Sequence, residues 1–172
     1  MNPTHLARRF LGTLRPGGPA PADAAWADGV LTPEERPLFD RLPAHDRRHA
    51  IGVARDVDRM LGAASEPRWL AAALLHDVGK QEARFSVPGR VLATLLVLAR
   101  GRDRVAAWSG GWRGRVGAYA RHGDIGAAEI RAVGGREEAA VWAEAHHRPA
   151  GTWPALGWPP EVLHALDAAD NA

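Results

Sequence analysis

The 172-residue sequence predicts an all-α fold. From about Leu31 onward, apolar residues recur at helical spacing, and no stretch shows clean period-2 alternation. Capping residues, Gly and Pro bracket the periodic segments. Residues 1–14 read as a short helix and RPGGPAPAD as a mobile Pro/Gly linker. This divides the chain into an N-terminal extension, 1–30, and a helical domain, 31–172.

Within the domain, one helix starts near Pro33 and ends before Pro43. Asp46 is expected to cap DRRHAIGVARDVDRML, where His49, Val53, Val57 and Met60 share a face. Ser65 and Pro67 open a third helix carrying Trp69, Leu70, Ala73 and Leu74, and Gly79 closes it. A loop with SVPG precedes a helix over 91–99, while SGGWRGRVG is punctuated by glycine. Helices over Asp124 to Val133 and Glu137 to His147 stop at Gly134-Gly135 and before Pro149. GTWPALGWPP reads as a loop; the tryptophans of the chain read mostly as core, with base stacking by Trp153 and Trp158 the secondary reading. Pro159-Pro160 leads into a last helix with Val162, Leu166 and Asp170 on one stripe.

Hydrophobic content of 46% with 24% charge fits a globular protein with a real core. The absence of cysteine excludes disulfides, thiolate metal sites and a cysteine nucleophile. Net charge is only +2, yet eight arginines and one acid, Asp103, lie between Arg84 and Arg121. That stretch suits a phosphate-bearing ligand or an anionic surface, and reads equally well as a solvated basic face. The N-terminus lacks the apolar run of a signal peptide, and 91–99 is about half a membrane span, so a cytoplasmic protein is expected. Contact of 91–104 with a membrane surface is the secondary reading.

The histidines point to chemistry. His49 lies on the apolar stripe of its helix; His76-Asp77 and His146-His147 end apolar helices; His122 begins one; Asp170 lies on a stripe. Polar groups aimed at a core cost about 1–3 kcal/mol each unless paired, and one divalent metal centre in a helix bundle would compensate several at once. His45 and His164 read as structural or surface groups, and His5 has no part in the pattern.

The order His49, His76-Asp77, His122, His146-His147, Asp170, with LLHDVGK, RHGDIGAAEI, AEAHHRP and ALDAADN, resembles the HD-domain superfamily of metal-dependent phosphohydrolases. The resemblance covers about residues 46–171 and implies an HD-type helical bundle with the metal site in its core. It implies His49, His76, Asp77 and Asp170 around one metal, with Asp77 bridging to a second held by His122, His146 and His147. Asp167, one turn before Asp170, competes for its role, and His147 could instead be a second-shell or substrate group. Lys80 would face a phosphate from the rim, with Arg84 and Arg121 as further phosphate contacts. Imidazole and carboxylate ligands suit iron, manganese, zinc, nickel or cobalt alike.

RPAGTWPALGWP stands where the cyclic-dinucleotide branch of that superfamily carries a Gly-Tyr-Pro signature, so the compact chain is more similar to small stand-alone hydrolases acting on nucleotides. The expected activity is hydrolysis of a phosphoester or phosphoanhydride of a nucleotide or similar small molecule by a metal-activated hydroxide, with Asp77 and Lys80 in catalytic roles and no stable nucleic-acid partner. The alternatives are a non-catalytic, nucleotide-sensing regulatory domain and a di-iron oxygenase on the same scaffold.

Overall fold

The computed structural model describes residues 17–171, which are helices and connecting turns with no strand among them. The helix expected over 1–14, and His5, lie outside the described residues. The helices are α1 (Pro21–Val30), α2 (Arg36–Asp40), α3 (Ala44–Leu61), α4 (Pro67–Leu75), α5 (Val87–Arg100), α6 (Arg102–Ala106), α7 (Gly111–Ala120), α8 (His122–Ala132), α9 (Glu137–Ala145) and α10 (Pro160–Asp170). Short 3-10 turns at Gly62–Ala64, Val78–Ala83 and Ala150–Leu156 join them.

The centre of the bundle is α4. Every residue from Trp69 to Leu75 is buried, so this helix is apolar all round and surrounded by α3, α9, α1, α2 and α10. Proline at its start and Glu66 in extended conformation set its beginning. A second, smaller core joins α5, α6 and α7 through Ala93, Val105, Val116 and Ala120, with Phe85, Trp108 and Tyr119 packed on it. These helices form a lobe inserted between the Val78–Ala83 turn and α8.

Several expectations are corrected. The division at residue 30 separates a helix from its own core, because Ala27 and Val30 of α1 are buried in the main cluster. Asp46 is not a cap: Pro43 precedes α3, and Asp46 sits in its first turn, ion-paired with Arg90 of α5. Met60, on the stripe of His49, Val53 and Val57, is exposed, and Leu61 is buried in its stead. Gly79 does not close α4, which ends at Leu75. Glycine is required there by proximity: a Cβ would meet His122 O at 2.1 Å and Gly126 N at 2.5 Å. Trp153 is buried with its indole N–H donating to Ala145 O (2.9 Å), and Trp158 packs on Trp69, ring centroids 5.0 Å apart. Trp153 is thus part of the core, and Trp158 is half-buried against it.

One buried acid away from the histidines holds the N-terminal helices to the bundle. Glu35 is fully buried; its Oε2 accepts from Thr32 N (2.9 Å) and its Oε1 from Arg136 N (2.9 Å). The Arg136 guanidinium stands 3.4 Å from Oε2 and donates to Val30 O and Pro67 O, so one ion pair links α1, α4 and the start of α9. Removing one partner of such a pair strands the other. Glu35→Ala should therefore lower the unfolding free energy by about 3 kcal/mol in denaturant titration. An unchanged midpoint would show that this pair does not hold the N-terminal segment.

Candidate metal centre

The apolar all-round surface of α4 places its C-terminal end in the interior, and the two residues that follow, His76 and Asp77, are buried with it. The Gly79 approach brings the next turn against the start of α8, which delivers His122. Gly123 allows a second close contact, since a Cβ there would meet Ala143 O at 2.5 Å. That contact sets α9, and so His146 and His147, beside His122.

One local device recurs at three helix ends. His76 Nδ1 lies 2.7 Å from Ala73 O, His122 Nδ1 2.7 Å from Tyr119 O, and His146 Nδ1 2.7 Å from Ala143 O. Each carbonyl is three residues back and belongs to a helix end, where acceptors lack intrahelical partners. The imidazole supplies the N–H, which fixes a proton on Nδ1 and, in the neutral ring, leaves the Nε2 lone pair facing the cluster.

Those nitrogens converge on Asp77, whose two oxygens divide between two groups. Oδ2 is 3.3 Å from His76 Nε2, and Oδ1 is 3.2 Å from His122 Nε2 and 3.7 Å from His146 Nε2. On the first side, Asp170 Oδ1 is 3.2 Å from His49 Nε2 and 3.5 Å from His76 Nε2. On the second, His147 Nε2 is 3.0 Å from His122 Nε2. Ligand atoms of His49, His76 and Asp77 lie within 4.8 Å of one another, as do those of Asp77, His122, His146 and His147. All seven residues expected around the metals are thus brought together, in two groups sharing Asp77. Asp170 enters the cluster and Asp167 does not; Asp167 accepts from Asn171 Nδ2 at 2.8 Å.

These groups fit divalent metal. Bonds of about 2.0–2.2 Å put neighbouring ligand atoms roughly 3.0–3.5 Å apart, the spacing found here. Nε2 of His146 is buried with no hydrogen-bond partner, an arrangement that costs free energy unless a cation accepts the lone pair. Burial, then the charge of His76 and His122, pushes His146 down to about 3, and burial lowers His122 against the pull of Asp77. Both are therefore neutral, the form that binds metal. Burial would also lower His76, but Asp77 and Asp170 outweigh it and raise it to about 10. Burial opposes ionisation of Asp77, yet His76 and Lys80 hold it well below the usual carboxylate range. The cluster is a buried anionic centre that recruits positive charge from its neighbours. His49, His76, Asp77, His122, His146 and His147 could bind a metal ion, with Asp170 beside His49 and His76.

Lys80 is ion-paired with Asp77 Oδ2 at the edge of the cluster. Arg84 is exposed in left-handed conformation (φ 49°), and Arg121 is committed to Ala106 O, tying α7 to α6. Sequence reasoning passed over Arg102, half-buried and donating to Ala120 O at 2.7 Å, whose charge is felt by both Asp77 and His147. It also passed over Tyr119, whose carbonyl orients His122 and whose ring lies 5.7 Å from it. An aromatic residue three before a histidine was the available signal. His45 is half-buried beside Asp46 (3.3 Å), and His164 is exposed.

Comparison with family models, with curated proteins and with solved structures found no match.

Protein stripped with chelator should take up divalent transition metal with proton release, and its Tm should rise by about 5–10 °C at hundredfold saturation. His146→Ala should cut uptake on the His122 side and leave the His49–His76 group loaded. Asp77→Asn should weaken both. Equal metal content in all three proteins, by elemental analysis, would show that these side chains are not ligands.

Proposed function

We propose that the protein is a metal-dependent phosphohydrolase cleaving a phosphoester or phosphoanhydride of a small molecule. Nucleotides are the first class to assay. The reading rests on one observation above others: a buried carboxylate divides its two oxygens between two groups of inward-facing imidazole nitrogens. The resemblance of the ordered histidine and aspartate set to the HD superfamily supports it independently of the geometry.

Divalent cations held there supply Lewis acidity and a water of near-neutral pKa. The protein's own groups set what such a site can accept. With metal in place of the His76 proton the imidazoles would all be neutral ligands, so the two carboxylates, Asp77 and Asp170, would balance only one of two divalent cations. The remaining positive charge, with Lys80, favours a phosphate dianion.

Lys80 reaches the cluster from its edge on a flexible stem, and can turn from Asp77 to a non-bridging phosphate oxygen. Arg102 adds a fixed guanidinium on the His147 side, where it would hold a more distal oxygen. His49 and Asp170 are partly exposed and His147 is exposed, so this side of the cluster faces solvent while His76 and His122 close its base. The chain has no cysteine, and direct attack by water needs no covalent intermediate.

Metal-loaded protein should release phosphate from at least one member of a nucleotide and phosphoester panel, and Asp77→Ala should abolish it. Lys80→Ala should keep its metal and lose about 10²–10³ in kcat. Arg102→Gln should raise KM about tenfold with metal content unchanged. A metal-replete protein inert toward every phosphoester offered would overturn the reading.

A further inference from the structure

The outer face of α5 is apolar and uncovered. Val91, Leu92, Leu95 and Leu98 are 37%, 47%, 51% and 55% exposed, and only Ala93 of this helix is buried. At 100° per residue these positions, with Pro88 and Ala99, span an arc of about 120°. The result is a convex ridge, not scattered single residues. Trp112 of α7 stands exposed beside the ridge, its ring 6.4 Å from that of Phe85.

The surrounding charge is predominantly positive. Arg84, Arg100, Arg104 and Arg113 are exposed on the same lobe, and Asp103 is the only acid between Arg84 and Arg121. The other four arginines of the stretch are occupied: Arg90 by Asp46, and Arg102, Arg115 and Arg121 by backbone carbonyls. The salt bridges of the described residues leave the exposed four uncompensated.

We propose that α5 is an interfacial helix that seats this lobe on an anionic bilayer surface. An apolar ridge flanked by arginine and a tryptophan is the chemistry that enters the headgroup boundary, with the leucines among acyl chains and the guanidinium groups on lipid phosphates. A second copy of the chain would set two cationic faces against each other. The segment 1–16 is no better complement, since it carries Arg8, Arg9 and Arg15 and no acid. No helix of the described residues is long and apolar enough to cross a membrane, so the contact lies in the plane of the surface.

The inference is independent of the proposed hydrolysis. Full-length, metal-loaded protein is sedimented with phosphatidylcholine vesicles, with and without added phosphatidylglycerol, at low and at high salt. Binding is expected to the anionic vesicles, weakened by salt and at least about tenfold poorer on neutral ones. Leu95→Asp/Leu98→Asp should reduce it at least about tenfold, and Arg100→Gln/Arg104→Gln about twenty-five-fold, at about fivefold per arginine. These side chains are exposed, so circular dichroism and Tm should match wild type. Failure to bind anionic vesicles overturns the proposal, as does undiminished binding by the leucine variant. Self-association in solution that the leucine variant abolishes would overturn it too, by making a second copy the occupant.

Discussion

A carboxylate buried at the centre of a helical bundle must be met by positive charge, and Asp77 sets that requirement here. Leaving it ionised and alone would cost several kcal/mol. The chain answers with Lys80 on one oxygen, a proton on His76, and imidazoles around the rest. Lys80 and His76 flank Asp77 in its own segment, while His122, His146 and Asp170 come from three others, so the same electrostatic demand bears on how α4, α8, α9 and α10 meet. A bound metal ion would meet the demand and satisfy the buried imidazole nitrogens in the same step.

Delivering those groups inward is a matter of helix ends. The interior of a helix consumes its own carbonyls; its last turn does not. Setting a histidine just past the end lets its Nδ1–H occupy an orphan carbonyl and turns Nε2 outward along the helix direction. Three ends do this within one cluster, and their convergence needs backbones closer than side chains permit. Gly79 against His122 O and Gly126, and Gly123 against Ala143 O, provide that closeness. The glycines of this site are therefore as much part of it as the histidines. Adding one methyl group at Gly79 would push the Asp77 turn and the His122 helix apart.

The all-α class and the converging residues were legible because both arise from strong, local energetics. Apolar spacing reports burial, and a histidine on an apolar stripe has few inexpensive explanations. Asp170 was legible over Asp167 only as a preference; the stripe of Val162, Leu166 and Ala169 turns it inward in the structure. What was not legible depends on tertiary partners that leave no local mark. Asp46 looks like a cap until Arg90, 44 residues on, claims it. Arg121 and Arg102 are indistinguishable in sequence, yet one braces Ala106 O and the other lends its charge to Asp77. Trp153 and Trp158 sit among prolines, a setting typical of exposed loops, but the Ala150–Leu156 turn folds back so that they cover Trp142 and Trp69. The proline-rich approach to α1 resembles a linker for the same reason: composition records local stiffness, not the core waiting for Ala27 and Val30.

The lobe of α5, α6 and α7 gives the site its connection to the surface. Its inner side is bonded to the cluster: Thr94 of α5 is 3.1 Å from Tyr119 OH, and Tyr119 in turn orients His122. Its outer side carries the leucine ridge. A helix needed only to brace His122 would gain by turning leucines inward, since each buried leucine stabilises by about 1.5–3 kcal/mol. Here Ala93 is fully buried and Leu96 and Val97 are half-buried against the small core, while Leu92, Leu95 and Leu98 are left to solvent. That inversion is costly in an isolated protein and favourable once the ridge enters an apolar phase. One helix then has two constraints: on its inner side Thr94 meets Tyr119 OH, in the residue whose backbone carbonyl accepts from His122 Nδ1, and on its outer side the ridge is open to solvent.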